Sequence, residues 1–486
     1  MIIITNVSLV VNYNFIMKTI LWCRQDLRLY DNPALYAAAA EGEIIPVYIY
    51  PEGMGGASYW WLHHSLKAFS DSLEERQIKL ILRKGDPTII LSELAQQVNA
   101  DQVLWNRVYS SEGIEQGQQV KQALADKSIA VRSFNGQLLT EPTKILNKQG
   151  TPFKVFTPFW RHCLTNLQPA DQLSIPKMTP FKGDLDSDKL DQWDLLPTKP
   201  DWSSGLNERW KPGEKTAQQR WQFFLDEVIG RYKEGRDFPN QDNTSYLSPH
   251  LAFGEISPRQ IWFDVQERIA SNQIDSVNGH KYLAEIGWRE YSRYLLIHFP
   301  HITEQPFNAK FANFPWQQQP ELLLAWQKGQ TGYPIVDAGM RELWHTGYMH
   351  NRVRMVTASF LTKHCLTHWR EGMNWFWDTL VDADIGSNTA SWQWVAGCGA
   401  DAAPYFRIFN PILQGEKFDK QGDYIKQWVP ELAKLPAKFI NKPWEADLQT
   451  LEQAEIVLGS DYPLPIVDHA EARADALNAY QAIKQS

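Results

Sequence analysis

The most informative segment of the chain combines acidic, amide and indole side chains within one short stretch. Asp382 and Asp384 are two residues apart, Asn388 follows four residues later, and Trp392 and Trp394 flank a glutamine. A carboxylate beside buried aromatic rings is unfavourable unless hydrogen bonds compensate it. A bound heterocycle with a ribityl or ribose chain could supply those partners, and the tryptophans could carry electrons to or from it. The alternative is an acidic helix N-terminus followed by core aromatics.

Two further segments carry polar side chains at helical spacing. Glu285 and Arg289 are four residues apart, with Trp288 on the same face, and this spacing alone predicts a surface ion pair. Asn351 and Met355 are also four apart, so one helix face presents an amide beside a thioether. A methionine at such a position usually fills a core. Both segments are compatible with a binding site and with ordinary packing.

The segment 244–250 reads Thr-Ser-Tyr-Leu-Ser-Pro-His and predicts the start of a helix. Hydroxyl groups and free backbone amides ahead of a helix form a site for an anion such as phosphate. An ordinary Ser or Thr N-cap is the simpler explanation of this segment when it is taken alone.

The elements that must position these residues fall into two classes. In the N-terminal part, strands are predicted at 19–22, 44–50, 79–83 and 102–105, with an amphipathic helix at 65–77. Strands separated by helices predict a parallel, doubly wound sheet. The first strand is not followed by GxGxxG, so the usual dinucleotide-binding fingerprint is absent.

The remainder of the chain is predicted to be helical. Residues 168–212 are rich in Pro, Asp, Ser and Lys, which predicts a wrapping connector rather than a core element. After Thr216 the pattern is helical almost without interruption to Leu432. We therefore expect an α/β domain over 17–145, an interdomain connector over 146–212 and an all-α domain over 213–486.

Composition narrows the class of protein. With 43% hydrophobic and 21% charged residues among 486, the chain is typical of a globular protein with two or three domains. The net charge of −8 argues against a non-specific nucleic-acid coat, but it permits a local basic rim. Candidates for such a rim are Lys154, Arg161, Arg236, Arg352 and Lys417.

Aromatic and sulfur residues add two observations. The 21 tryptophans nearly equal the 22 phenylalanines, which suits stacking and electron transfer as well as an aromatic core. The four cysteines are scattered without metal-ligand spacing, so we expect reduced thiols in a cytosolic protein and no metal. No apolar run is long enough to cross a membrane, and the first sixteen residues lack the basic region of a signal peptide. We expect the folded part to begin at Met17.

Further motifs extend the pattern along the chain. Residues 21–28 read LWCRQDLR, residues 399–411 read GADAAPYFRIFNP, and residues 414–419 read QGEKFD. Together with the segments described above, and in this order, they resemble the photolyase/cryptochrome flavoproteins over almost the whole chain after Met17. The chain is most similar to the cyclobutane pyrimidine dimer (CPD) DNA photolyases of classes I and III. The resemblance implies a photolyase-like fold with an all-α FAD-binding domain. It also implies light-dependent repair of UV-damaged DNA.

The resemblance also implies roles for individual residues. The flipped-out lesion would contact the side chains of Glu285, Trp288, Asn351 and Met355. An electron chain from the protein surface to the flavin would consist of Trp316, Trp369 and Trp392. The FAD-binding positions would be Tyr232, Thr244, Ser245, Tyr246, Leu247, Ser248, Tyr282, Arg289, Arg354, Asp382, Ala383, Asp384 and Asn388. The DNA-binding positions would be Arg236, Arg352, Trp394 and Gln414.

Two other functions are compatible with the resemblance. One is a cryptochrome-like blue-light receptor, in which reduction of FAD by light drives partner binding; the other is a dark flavoprotein without a DNA substrate. Plant cryptochromes carry Asp at the position of Asn388, and no long tail follows Trp444, so repair is favoured. Relatives that repair (6-4) products carry two adjacent histidines where this chain has His350 and Asn351, which favours the cyclobutane dimer.

The resemblance implies an antenna chromophore, for which methenyltetrahydrofolate is expected. Residues 105–112 are one candidate site, although they lack the Asn-Glu pair of class I. Residues 56–64 resemble class III, where Trp60 or Trp61 could stack on a pterin or pack between domains. Two other positions depart from the family pattern, with Tyr246 in place of Arg or Gly and Tyr348 in place of Trp. We expect a monomer in the bacterial cytosol, associated with the nucleoid during repair.

Overall fold

The computed structural model of the protein describes residues 16–166 and 168–485. The segment 1–15, for which no signal peptide is expected, lies outside these residues. The first strand begins at Met17, where the folded part was expected to start. No helix in the described part of the chain is long and apolar enough to cross a membrane.

A parallel sheet forms the centre of the N-terminal region and confirms the expected doubly wound arrangement. Strand β1 lies in the middle, with Ile20 opposite Ile45 on one neighbour and opposite Val103 on the other. The order is β3-β2-β1-β4-β5, and β6 pairs with β2. Most strand residues are buried because helices cover both faces of the sheet. The strands are β1 (Met17–Cys23), β2 (Gly42–Ile49), β3 (Ile81–Arg83), β4 (Gln102–Asn106), β5 (Ala130–Phe134) and β6 (Thr179–Pro180).

Four helices connect the strands of the sheet. Asn32, Asp86 and Ser110 cap three of them by accepting hydrogen bonds from backbone amides in the first turn. The predicted helix at 65–77 begins nine residues earlier, at Gly56, and ends at Glu74. The additional turns bury Trp60 and Trp61. Buried residues are consecutive in this part of the helix, so the sequence shows no amphipathic period there. The helices are α1 (Pro33–Glu41), α2 (Gly56–Glu74), α3 (Pro87–Val98) and α4 (Ser111–Ala125).

The C-terminal region is helical, as expected. Its longest helix, α11, runs through the middle of the region and packs against α16, α10 and α5. The helices are α5 (Phe156–Asn166), α6 (Ser204–Arg209), α7 (Glu214–Phe223), α8 (Tyr232–Gly235), α9 (Ser248–Ala252), α10 (Pro258–Ala270), α11 (Ser276–His298), α12 (Pro320–Gln327), α13 (Pro334–Thr346), α14 (Asn351–Ser359), α15 (Trp369–Thr379), α16 (Ile385–Ala396), α17 (Pro411–Phe418), α18 (Asp423–Trp428), α19 (Leu448–Gln453) and α20 (His469–Gln485).

The segment expected to be a connector contributes to the cores. Trp160 on α5 packs against Gly287 of α11, where an added Cβ would come within 2.6 Å of the indole. Further along, Trp193, Leu206 and Trp210 are buried in the cluster beneath α2. The expectation that 168–212 carries no core element is therefore wrong. These apolar residues are spaced too far apart in a polar sequence to produce a periodic signal.

Buried ionic and hydrogen-bonding contacts join the two regions. Arg259 on α10 contacts both carboxylate oxygens of Asp31, at 2.7 and 3.1 Å. Arg28 donates to the carbonyls of Gly254 and Gly136, at 2.9 and 2.6 Å. The Asp31 and Arg259 side chains are 0% and 6% exposed. A charge buried to this extent requires a partner, so the ion pair fixes the position of α10 against the sheet domain.

Asp31→Asn tests this contact, because it removes the charge from a residue whose φ of 49° asparagine tolerates. Leaving Arg259 without its ionic partner should lower the free energy of unfolding by about 3–5 kcal/mol. Glu304→Gln breaks the exposed ion pair with Arg370 and should cost less than about 1 kcal/mol. Denaturant unfolding of the two variants measures the difference, and equal losses would contradict the assignment.

Candidate functional site

A cavity of about 600 Å³ opens in the helical region. Its walls come from α11, α14 and α16, together with the loop that precedes α16. This volume lies within the range of roughly 300–1,000 Å³ that is usual for small-molecule sites. Apolar side chains such as Leu295 and Phe376 line it beside arginines and carboxylates. It is therefore large enough, and mixed enough in polarity, for an organic cofactor.

Helix α11 presents one face to the cavity. Glu285 and Arg289 are one turn apart on that face, and Arg293 follows one turn later. The ion pair that the first spacing predicts is not among those of the described residues. Glu285 pairs instead with Arg236 and with Lys281, the latter at 3.1 Å. Arg293 was not predicted from the sequence as a site residue. Its i,i+4 spacing from Arg289 could have indicated that it lies on the same face of α11.

Trp288 contributes an indole to the cavity wall. Its ring stacks on Phe156 of α5, with centroids 3.7 Å apart and planes inclined by 10°. The backbone amide of Phe156 donates to Asp401, which also lines the cavity. This stacking holds the indole in one orientation beside Glu285. Phe156 itself was not identified from the sequence, because it lies in the stretch expected to be a connector.

Arg289 brings a positive charge close to the cavity. Its guanidinium donates to the carbonyl of Gln137 at 2.8 Å and contacts Glu290 at 3.3 Å. Burial and the neighbouring guanidinium of Arg293 lower the pKa of Arg289 to about 9. The group therefore remains protonated at neutral pH, so this wall of the cavity favours an anionic ligand.

The protein itself supplies partners for the two aspartates. Asp382 accepts from Arg354 at 2.8 and 3.1 Å and from the Ser248 hydroxyl at 2.6 Å. Asp384 caps α16 and contacts Arg293 at 2.7 Å. Burial alone would raise the pKa of Asp384, but Arg293, Arg289 and hydrogen bonds from Ser387 hold it below the ordinary value. The sequence suggested that a bound ligand could compensate these carboxylates. The structure shows that side chains of the protein already do so.

Asn388 lies on the cavity side of α16. Its Nδ2 donates to the carbonyl of Met373 at 2.9 Å, which fixes the orientation of the amide. The side chain is buried and lines the cavity, one turn before Trp392. A fixed amide can hydrogen-bond a ring nitrogen through its carbonyl oxygen when that nitrogen is protonated. The position is therefore suited to the edge of a bound heterocycle.

Trp392, Trp369 and Trp316 belong to or pack against one hydrophobic cluster of the helical region. Trp392 is 2% exposed and approaches α15 closely at Gly372, where an added Cβ would come within 2.0 Å of the indole. Trp369 at the start of α15 is 1% exposed. Its ring stacks on His368 with centroids 5.5 Å apart, and His368 meets Trp316 at 5.2 Å. An imidazole thus lies between Trp369 and Trp316.

The structure brings most of the sequence-predicted residues to this one cavity. Those that line it are Glu285, Trp288, Asn351, Met355, Trp392, Ser248, Arg289, Arg354, Asp382, Ala383, Asp384, Asn388, Arg236, Arg352 and Trp394. The others lie outside its lining: Tyr232, Thr244, Ser245, Tyr246, Leu247, Tyr282, Trp316, Trp369 and Gln414. Tyr232 and Tyr282 pack edge to face behind the wall, with ring centroids 5.1 Å apart.

The two family departures noted in the sequence lie against each other. Tyr246 has a left-handed backbone with φ of 52°, and its ring centroid is 5.3 Å from that of Tyr348. Trp210 contacts both rings, and the guanidinium of Arg209 lies 4.5 Å from the centre of the Tyr246 ring. Aromatic packing around Tyr246, including its contact with Tyr348, therefore fixes the segment 244–248.

The candidate antenna residues are already packed against other side chains of the protein. Trp60 and Trp61 are 1% and 0% exposed, and Trp61 packs against Phe253 and His250 of the helical region. Of the two alternatives for this pair, packing between domains is the one the structure supports. In the segment 105–112, Arg107 pairs with Glu141.

The cavity fits FAD on observations of the protein alone. The hydroxyl of Tyr291, which lines the cavity, is buried without a hydrogen-bond partner among the described residues, and so is Nη1 of Arg293, whose guanidinium pairs with the lining residue Asp384. Such groups are unfavourable unless a ligand or water satisfies them. Arg289 favours an anion, and Asn388 is placed for a ring edge. A dinucleotide with a polar heterocycle and a negatively charged linker meets these requirements.

Comparison with known proteins agrees with the geometry. Residues 19–179 match a family described as DNA photolyase, and residues 282–482 match one described as the FAD binding domain of DNA photolyase. A deoxyribodipyrimidine photo-lyase of Agrobacterium fabrum is 51% identical over 96% of this chain and 98% of that protein. Cryptochrome-1 of Arabidopsis thaliana is 37% identical over 94% of this chain and 69% of that protein.

A solved structure gives the same result for the fold. The crystal structure of a bacterial class III photolyase from Agrobacterium tumefaciens superimposes with a TM-score of 0.95 and 50% sequence identity. The alignment covers 99% of this chain and 100% of that one. Both regions of the chain are thus accounted for by one family. The chain belongs to the photolyase/cryptochrome family, whose C-terminal domain binds FAD.

Proposed function

We propose that the protein is a deoxyribodipyrimidine photolyase that repairs cyclobutane pyrimidine dimers in UV-damaged DNA. The observation that carries the proposal is the composition of the cavity. The four side chains expected to meet a lesion, Glu285, Trp288, Asn351 and Met355, line the same space as Arg354, Asp382 and Asn388. A lesion held by the first four residues would therefore lie beside a cofactor held by Arg354, Asp382 and Asn388.

The duplex is held through its sugar-phosphate backbone as well as through the damaged bases. Arg236 and Arg352 lie at the cavity and are suited to phosphate oxygens, which position a protein on DNA without reading its sequence. The damaged pair leaves the base stack and enters the cavity; photolyases as a class act in this way. The cost of flipping is low because a distorted dimer stacks poorly on its neighbours.

The side chains around the dimer hold it for electron transfer. Trp288, fixed by Phe156, offers an indole face for stacking, and the amide of Asn351 can hydrogen-bond the base edges. The carboxylate of Glu285 can accept a hydrogen bond from the imide N–H of a pyrimidine, which would hold the dimer in place. When bound, reduced FAD supplies the electron after it absorbs light. The cavity walls supply placement and exclude water.

A cryptochrome-like light receptor is the alternative, and the identity to Cryptochrome-1 of Arabidopsis thaliana motivates it. Asn388 and the four side chains expected to meet a lesion favour repair, because a light receptor does not require side chains that bind a dimer. We further propose a monomer in the cytosol and an antenna of the methenyltetrahydrofolate type. Since Trp60 and Trp61 are buried, such an antenna would bind at another surface.

Illumination of the purified protein with oligonucleotides that carry one lesion each tests the proposal. We expect repair of the cyclobutane dimer and none of the (6-4) product. Asn351 does not titrate in the accessible range, so it cannot donate the proton that the (6-4) product requires. Lesions are counted before and after illumination, with a dark sample as the control. Absence of dimer repair would favour the receptor alternative, and efficient (6-4) repair would overturn the substrate assignment.

Trp392→Phe should strongly slow the reduction of oxidised FAD by light and an external donor, because phenylalanine cannot be oxidised in place of the indole. Repair by enzyme that has been reduced chemically should persist, since the tryptophans feed the flavin and not the dimer. Trp262→Phe is the matched control, because Trp262 is buried in the same region but does not line the cavity. Flavin absorbance during illumination measures both. Photoreduction at the original rate in Trp392→Phe would remove this residue from the electron chain.

If the protein binds an antenna chromophore, we expect gently purified protein to show a near-UV absorption band separate from that of flavin. The band should disappear after the pterin is stripped and return on incubation with the folate. Flavin as the sole chromophore, before and after incubation, would contradict the antenna proposal and leave the repair proposal intact.

A further inference from the structure

Two arginines at the cavity are held by carboxylates of the protein itself. Arg236, at the end of α8, pairs with Glu285, and its Nε lies 3.9 Å from Oδ1 of Asp237. Nη2 of Arg352, in the first turn of α14, lies 2.9 Å from the same Oδ1. Asp237 thus joins two cations that lie more than a hundred residues apart in sequence but next to each other in space.

The arginines are more buried than the carboxylate between them. The side chains of Arg236 and Arg352 are 12% and 17% exposed, whereas that of Asp237 is 34% exposed. The guanidinium of Arg352 lies 4.4 Å from the centre of the Phe418 ring, which restricts its movement. The carboxylate therefore lies on the outer side of a fixed pair of guanidinium groups.

The environment of Asp237 is that of a phosphate site. Carboxylate and phosphate oxygens present similar acceptors to a guanidinium group. Lys233 and Lys281 add positive charge along the same cavity wall. Nε of Arg352 is buried without a hydrogen-bond partner among the described residues, so it remains a donor in need of an acceptor. An oxygen anion larger than a carboxylate would satisfy more of these donors than Asp237 does.

We propose that Asp237 is a specificity-determining residue that, together with Glu285, occupies Arg352 and Arg236 in place of a DNA phosphate until a dimer enters the cavity. This inference rests on the proposed function and deepens it. With undamaged DNA the cavity receives no base, so Glu285 retains Arg236 and Asp237 retains Arg352. Both guanidinium groups then bind the backbone poorly.

A flipped-out dimer changes this balance. Its carbonyl and imide groups give Glu285 a new hydrogen-bond partner, which weakens the hold of Glu285 on Arg236. Arg236 is then free to turn to a phosphate next to the lesion, and the anion that arrives displaces Asp237 from Arg352. Contact with the backbone is thus coupled to occupation of the cavity, and a coupling of this kind appears as discrimination between damaged and undamaged DNA.

Asp237→Asn removes the charge but keeps the size of the side chain and an acceptor oxygen. We expect it to tighten binding to undamaged duplex about three- to tenfold. The slope of log affinity against log salt concentration should become steeper by about one, because an additional phosphate contact forms. Binding to a duplex with a single dimer should change less, so the ratio of the two Kd values falls. Fluorescence anisotropy in the dark, over a series of salt concentrations, measures both quantities with holoenzyme.

Two control variants separate the local effect from general ones. Asp237→Glu retains the charge and should retain most of the discrimination of the wild type. Asp226→Asn changes the net charge equally and breaks an ion pair with Arg268, 2.7 Å long, at a site that does not line the cavity. It should leave the ratio of Kd values unaltered. Flavin absorbance of each variant establishes that the helical domain is folded.

Three results would overturn the inference. In the first, Asp237→Asn leaves both affinities unchanged; in the second, it weakens both equally, as a purely structural residue would. In the third, Asp226→Asn lowers the discrimination as much as Asp237→Asn does, which would assign the effect to net charge. If the wild type itself binds damaged and undamaged duplex equally, the proposed function fails as well, so the two failures are distinguishable.

Discussion

The compensation of buried guanidinium charge is the constraint on which the rest of the cavity depends. Five arginines line or closely border one space in the helical region, at positions 236, 289, 293, 352 and 354. Each must meet a carboxylate or carbonyl, because an unpaired buried charge destabilises a fold by several kcal/mol. Asp382, Asp384, Glu285 and Asp237 provide four of those partners. Their positions are therefore determined as much by folding as by the ligand.

This constraint explains why structural and functional roles coincide in the same side chains. Asp384 caps α16, pairs with Arg293 and lines the cavity, so one carboxylate fixes both the helix and the wall. Arg354 holds Asp382 through two hydrogen bonds, while Asn351 and Met355 of the same helix line the cavity. A ligand enters a site whose charges are already arranged, which lowers the cost of organising the site on binding.

Aromatic packing provides the second level of support. Phe156 fixes Trp288, Gly372 allows Trp392 to approach α15, and His368 lies between the rings of Trp369 and Trp316. The many tryptophans divide into residues that are buried in the cores and residues that reach the cavity. Trp61, Trp160 and Trp210 are core residues, whereas Trp288 and Trp392 reach the cavity. Burial alone does not separate the classes, since Trp392 is as buried as the core members.

The sequence by itself determined the parallel sheet, the helical region, the family and fifteen of the residues that line the cavity. It could do so because strand and helix periods are local, and because the motifs around Glu285, Asn351 and Asp382 lie in continuous segments. Only the tertiary structure decided which charges meet. Asp31 and Arg259, or Asp237 and Arg352, carry no local signal of their contact, because the chain separates them by many residues. The burial of Trp60 and Trp61 was decided in the same way, by a surface that a distant part of the chain provides.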